Sequence, residues 1–206
     1  MTRPLIISDC DEVLLHMVAH FKDWLEESQG VHFNLEGHNF AQALRWQDSG
    51  EVLDPADIWK MLGRFFDTEM DSQLPIAGAV EGINTLAEKA NVVILTNLVD
   101  ERRNKRAEQL AAVGINARVF TNQGPKGPAL KAIMEEFAPT RAVFIDDLAQ
   151  HHASVAEITP HVTRLHLCGE PMIAHTIDCA HKAGHAEARI DRWDEALPWL
   201  LERLEN

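Results

Sequence analysis

The sequence predicts an α/β protein: a parallel five-stranded sheet covered by helices, with an all-helical segment inserted between its first and second strands. Three observations predict it. Short apolar runs recur without polar alternation, as in strands buried on both faces. Stretches with helical spacing lie between them. One of those stretches, from about Leu15 to Leu74, is far too long for a simple crossover.

The expected strands are Leu5–Ser8, Val92–Leu95, Ala117–Phe120, Ala142–Ile145 and Val162–Leu167. The fifth alternates more than the others, which predicts an edge strand. Ile83, Leu86, Ala87 and Ala90 share one helical face before the second strand, and Leu130, Ile133, Met134 and Phe137 share another before the fourth. Trp193, Leu197, Leu200, Leu201 and Leu204 form a C-terminal stripe, with Pro198 expected in that helix's first turn. Strands alternating with helices give a Rossmann-like core with right-handed crossovers.

The insertion reads as helix throughout. Met17, Phe21 and Trp24 align, as do Ile58, Leu62 and Phe65, and Asp54-Pro55 supplies an N-cap followed by proline at the first helical position. The expected division is a core of residues 1–14 and 75–206 and a helical cap of residues 15–74, hinged near Leu14–His16 and Gln73–Gly78. No internal repeat interrupts this plan.

Composition narrows the function. Hydrophobic residues make up 46%, as in an ordinary globular chain. Nineteen Lys and Arg against 32 Asp and Glu leave a formal charge of -13, which repels a polyphosphate backbone, so no nucleic-acid partner is expected. No apolar run is long enough to span a bilayer and no signal peptide fits the N-terminus, so no membrane partner is expected. Cys10, Cys168 and Cys179 are odd in number and form no zinc or redox spacing, which points to a reducing cytoplasm.

In open parallel sheets, ligands bind beyond the carboxyl ends of the strands. Asp9-Cys10-Asp11-Glu12-Val13 follows the first expected strand, Thr96-Asn97 the second and Asp146-Asp147 the fourth, while Lys126 precedes the helix leading to the fourth. Four carboxylates gathered at one edge repel one another unless a hard divalent cation joins them, and Mg²⁺ suits carboxylates, waters and phosphate oxygens. A carboxylate is able to attack phosphorus, with the cation and a lysine offsetting charge on the phosphoryl oxygens. A second carboxyl two residues away is placed to protonate the leaving oxygen and later activate water.

These motifs resemble those of the haloacid dehalogenase superfamily of hydrolases. Asp9-Cys10-Asp11-Glu12-Val13 is similar to its first motif, Thr96 at a strand end to its second, Lys126 to its third and Asp146-Asp147 after Phe144-Ile145 to its fourth, all in the family's order. The resemblance implies that Asp9 is nucleophile and metal ligand. It implies that Asp11 is the general acid/base and binds metal through its backbone carbonyl. Asp146 and Asp147 would complete the Mg²⁺ site, and Thr96, Asn97 and Lys126 would hold the phosphoryl group of a small phosphorylated substrate. Family members often carry Gly where this chain has Glu12.

Family dehalogenases generally lack the second aspartate, because a halide leaves without a proton. Asp11 therefore favours a phosphatase with an aspartyl-phosphate intermediate over 2-haloacid hydrolysis, and the order of motifs argues against a non-catalytic phospho-accepting receiver. Cys10 is expected to be a small core residue pointing away from Asp9 and Asp11, its thiolate suppressed by their charge. The basic run Arg102, Arg103, Lys105 and Arg106 reads as a solvated helix face, and Arg45-Trp46 as surface charge and core indole. His181 and His185 have the spacing of one helix face, but scattered surface histidines explain the seven after Gln150, with His151 near enough to touch the site.

Overall fold

A computed structural model describes residues 3–35 and 40–205. The start of the expected core at Met1, residues 36–39 of the expected cap and Asn206 lie outside the described residues.

The chain opens with β1 (Leu5–Ser8), then α1 (Val18–Trp24), a π-helical turn over Leu25–Gln29, β2 (Val31–Phe33), β3 (Leu44–Trp46) and α2 (Pro55–Thr68). After a 3₁₀ turn at Met70–Ser72 come α3 (Ala79–Lys89), β4 (Asn91–Thr96), α4 (Arg103–Ala112), β5 (Arg118–Thr121) and α5 (Gly127–Phe137). The remainder is β6 (Ala142–Asp146), α6 (Ala149–Ile158), β7 (Thr163–His166), the short α7 (Pro171–Ala174), β8 (Ala188–Arg189) and α8 (Trp193–Glu205).

Among the described residues the sheet is parallel and six-stranded, in the order β5-β4-β1-β6-β7-β8. The expected count of five is one short, because β8 has only two residues and carries no apolar run. β8 also displaces β7 from the edge assigned to it. β1 lies between β4 and β6, so the chain runs outward to β5 and then returns to the other side of β1. That reversal opens a crevice beyond the carboxyl ends of β1 and β6.

Alternation divides the sheet's side chains between two cores. Ile6, Ile94, Val143 and Leu165 face α3 and α8, while Leu5, Ile7, Val93 and Phe144 face α5 and α6. Gly82 is what lets α8 close on α3: a Cβ there would come within 2.4 Å of the Trp193 ring. The Trp193 indole N–H donates to the Val13 carbonyl at 2.7 Å, tying α8 to the loop after β1. α8 begins at Trp193, which puts Pro198 inside the helix and not in its first turn, at the cost of one backbone hydrogen bond.

The inserted segment is not all helix. β2 and β3 pair antiparallel, with Val31 opposite Trp46 and Phe33 opposite Leu44. Gly30, at φ 66°, ends the π-helical turn, and Val31-His32-Phe33 then alternates buried, exposed, buried. Asp54 stands at the N-cap of α2 with Pro55 behind it, but its side chain makes no capping hydrogen bond. The insertion has its own apolar cluster around Phe21, Leu25, Leu44 and Phe65, against which Leu98, Cys168 and Ile173 also pack. The Phe21 and Phe65 rings meet edge to face at 5.3 Å, each ring wholly buried. Its two connections to the sheet run side by side: His16 N–H donates to the Leu74 carbonyl at 2.9 Å and Ile76 N–H to the Leu14 carbonyl at 2.8 Å.

Candidate active site

Parallel pairing sets the site's geometry. Ser8 pairs with Ile145, so the next residues, Asp9 and Asp146, arrive level at the strand ends, and Asp9 N–H donates to the Ile145 carbonyl at 2.8 Å. Lys126 comes from the opposite direction, at the start of α5, where a Cβ on Gly127 would lie 2.5 Å from the Ser154 carbonyl oxygen of α6. That close approach sends the lysine between the carboxylates. Its Nζ lies 2.8 Å from Asp9 Oδ1 and 2.6 Å from Asp146 Oδ2.

Asp9, Asp146 and Asp147 are all buried and offer oxygens within 4.8 Å of one another. Burial raises the Asp9 pKa to about 7, helped by Asp146 and opposed by Lys126. Burial and the neighbouring Asp146 and Asp9 charges push Asp147 well above the usual carboxylate range. Burial works against the charged form of Asp146 as well, but Lys126 outweighs it and holds that carboxyl low. Lys126 itself stays above the ordinary lysine range, because Asp146 and Asp9 overcome its own burial. One ammonium thus serves three buried carboxylates. The donor set fits a hard divalent cation such as Mg²⁺, which would be held by Asp9, Asp146 and Asp147.

The other expected site residues lie around this centre. Thr96 is buried at the end of β4. Asn97 donates to the Gly124 carbonyl at 3.1 Å, accepts from Asn122 at 2.9 Å and lies 3.4 Å from His151 Nε2. His151 is buried, and burial lowers its pKa. An open depression lined by Leu98, Asp100, Thr121 and Asn122 adjoins this rim.

Asp11 stands apart from the trio. Its carboxylate accepts from Arg106 Nη2 at 3.0 and 3.1 Å and from Gln73 Nε2 at 3.0 Å. Arg106 is wholly buried, which corrects its assignment to a solvated helix face. On α4 it shares the inward side with Gln109 and Leu110, a spacing of three and four that was the available signal. Arg106 also donates to Cys10 Sγ at 3.3 Å, so Cys10 and Asp11 meet at one guanidinium. The loop after β1 is not extended, and strand alternation does not carry into it. Cys10 is a core residue as expected, its thiol pushed up chiefly by burial.

Arg102 and Lys105 bind the insertion through Asp67, and Arg103 binds Asp100 and Thr121. Arg45 donates to the Gly50 carbonyl within the insertion, and Trp46 is half-buried. His181 and His185 do not share a helix, and His152 and His166 are buried and stacked 5.3 Å apart, against the expectation of surface histidines. Gln73 and Glu170 are buried polar residues that no sequence motif singled out.

A parallel α/β sheet with a lysine-bridged acidic site at its switch point defines the class. No protein-family model matches the chain, and no curated protein matches it. Solved structures do. A HAD family hydrolase from Deinococcus radiodurans R1, with bound phosphate and sodium, is similar at TM-score 0.68 and 20% identity, over 98% of this chain and 96% of that one. A conserved haloacid dehalogenase-like protein of unknown function from Agrobacterium tumefaciens str. C58 gives 0.67 and 17%, over 98% and 99%. The HAD-hydrolase YfnB from Bacillus subtilis, bound to magnesium, gives 0.62 and 15%, over 97% and 99%. The fold of this chain is that of the haloacid dehalogenase-like hydrolases.

Proposed function

We propose that this chain is a Mg²⁺-dependent phosphatase of the haloacid dehalogenase type, acting on a small phosphorylated metabolite through an aspartyl-phosphate at Asp9. The observation that carries this reading is the buried contact of Lys126 with both Asp9 and Asp146, with Asp147 alongside. The phosphate in the Deinococcus structure and the magnesium in YfnB support it by analogy of fold. When bound, the cation would supply charge stabilisation for the phosphoryl oxygens.

The protein's own residues do the rest. Asp9 Oδ attacks phosphorus as the ester oxygen leaves, and Lys126 offsets charge on the transferring group. Thr96 and Asn97 orient that group from the neighbouring strand end. Asp11 protonates the leaving oxygen and then takes a proton from the water that hydrolyses the acyl phosphate. Arg106 and Gln73 hold Asp11 in the present conformation, so this role requires the carboxylate to exchange partners. Residues 15–74 act as the cap over a core of residues 1–14 and 75–206, excluding water and selecting the substrate. The three free cysteines agree with a cytoplasmic setting. Among the described residues, no helix is long and apolar enough to cross a membrane.

The test is hydrolysis of p-nitrophenyl phosphate by the parent chain and Asp9→Asn, with and without Mg²⁺. Loss of all Mg²⁺-dependent turnover in a folded variant is expected, and retained turnover removes Asp9 from the mechanism. The hold of Arg106 on Asp11 favours one second reading, 2-haloacid hydrolysis, in which no proton donor is needed. Metal-independent halide release from a 2-haloacid would establish it in place of the first.

A further inference from the structure

Glu12 follows directly after Asp11 and lies beside the lysine-bridged trio, where its charge adds to those that raise Asp147, but its carboxylate belongs to a different cluster of ligand atoms. It has φ 62° and is only 2% exposed. Its Oε1 accepts from the Met17 and Val18 backbone N–H groups at 3.0 and 2.6 Å. Its Oε2 is buried with no partner. His16, at the start of the insertion, and Glu170, in the loop after β7, converge on the same place. His16 Nδ1 lies 2.7 Å from Glu170 Oε2, while Glu170 Oε1 accepts from Met172 N–H at 2.9 Å. Glu12, His16 and Glu170 present ligand atoms within 4.8 Å of one another.

We propose that Glu12, His16 and Glu170 form a second metal site, built for a first-row divalent ion such as Zn²⁺ or Mn²⁺. In each carboxylate one oxygen is anchored by backbone amides, which fixes the group and leaves the other oxygen to coordinate. An unpartnered carboxylate oxygen in a closed environment is costly, and a cation removes that cost. The imidazole selects against Mg²⁺ and Ca²⁺, and two carboxylates with one histidine suit Zn²⁺ or Mn²⁺ with a position left for water. The ion would replace the proton that His16 shares with Glu170. The His16 side chain is 26% exposed, which gives the ion a way in. Because Glu12 and Glu170 belong to sheet loops and His16 to the insertion's first connection, the ion would pin that connection to the core.

The site does not depend on phosphatase chemistry, and its test does not measure turnover. The full chain carrying Asp146→Asn, which weakens the neighbouring trio, is titrated calorimetrically with Zn²⁺. One equivalent is expected to bind and to raise the melting temperature. Adding His16→Ala, at a partly buried position, is expected to weaken binding by more than about 100-fold and remove the thermal shift. In the otherwise unaltered chain, His16→Ala is expected to lower the Zn²⁺ stoichiometry by one, which gives a reading even where Asp146→Asn fails to fold. A stoichiometry unchanged by His16→Ala, or no Zn²⁺ bound by a folded Asp146→Asn chain, overturns the proposal.

Discussion

A guanidinium with no access to solvent must find its counter-charge inside the protein, and Arg106 finds it at Asp11. Removing one member of such a pair strands the other. Arg106→Met is therefore expected to cost about 3 kcal/mol in urea denaturation, and Arg106→Met with Asp11→Asn to recover part of that loss. His166 carries a pH dependence of its own. Burial, with smaller contributions from His152 and Arg189, lowers its pKa from 6.5 to about 4, while Asp191 and Asp146 pull weakly the other way. Between those values the unfolded chain takes up a proton that the folded chain refuses, so stability falls as pH drops from 6.5 toward 4. His166→Asn keeps an acceptor at the Nδ1 position for the Ala180 N–H and should melt with a shallower acid dependence over that window. Asp9, Lys126 and Asp146 were legible in the sequence because each stands at a strand end or helix start, where position alone implies convergence. Arg106 and Glu170 were not, since one hides in a basic run and the other in a loop with no periodicity.

At the level of elements, the spacing between α5 and α6 controls the site. Gly127→Ala would drive a methyl into the Ser154 carbonyl and displace the start of α5, carrying Lys126 with it. A cost of about 2 kcal/mol in denaturant melts is expected, with roughly a 100-fold drop in kcat where the lysine shifts by about an ångström. Gly82→Ala, which meets the Trp193 ring on the opposite face, should lose similar stability with little change in kcat for the surviving folded fraction. Strands β1, β4 and β6 could be read within a residue because burial on both faces leaves an unbroken apolar run. β2, β3 and β8 could not, because three residues or two are too few to show a period.

Across the whole molecule, α4 and the residue that precedes it are where insertion and sheet are fastened together. Arg102 and Lys105 reach Asp67, and Gln109 donates to the Met70 carbonyl. Exposed pairs like Arg102–Asp67 contribute only about 0–1 kcal/mol each. Arg102→Ala with Lys105→Ala should therefore leave the global melting temperature nearly unchanged while speeding amide exchange in α2 but not in β1, β4 or β6. The paired connections carry a further consequence. Leu15 and Pro75 already face each other as antiparallel partners, so everything between them is a detour that departs from and returns to one spot. Among the described residues, the two apolar clusters flanking the sheet draw no side chain from that detour. Excising it and closing the gap with a tight Asn-Gly turn is therefore geometrically simple. Leu98 and Ile173 would then be left uncovered, and the shortened protein would need polar residues there to remain dispersed in water.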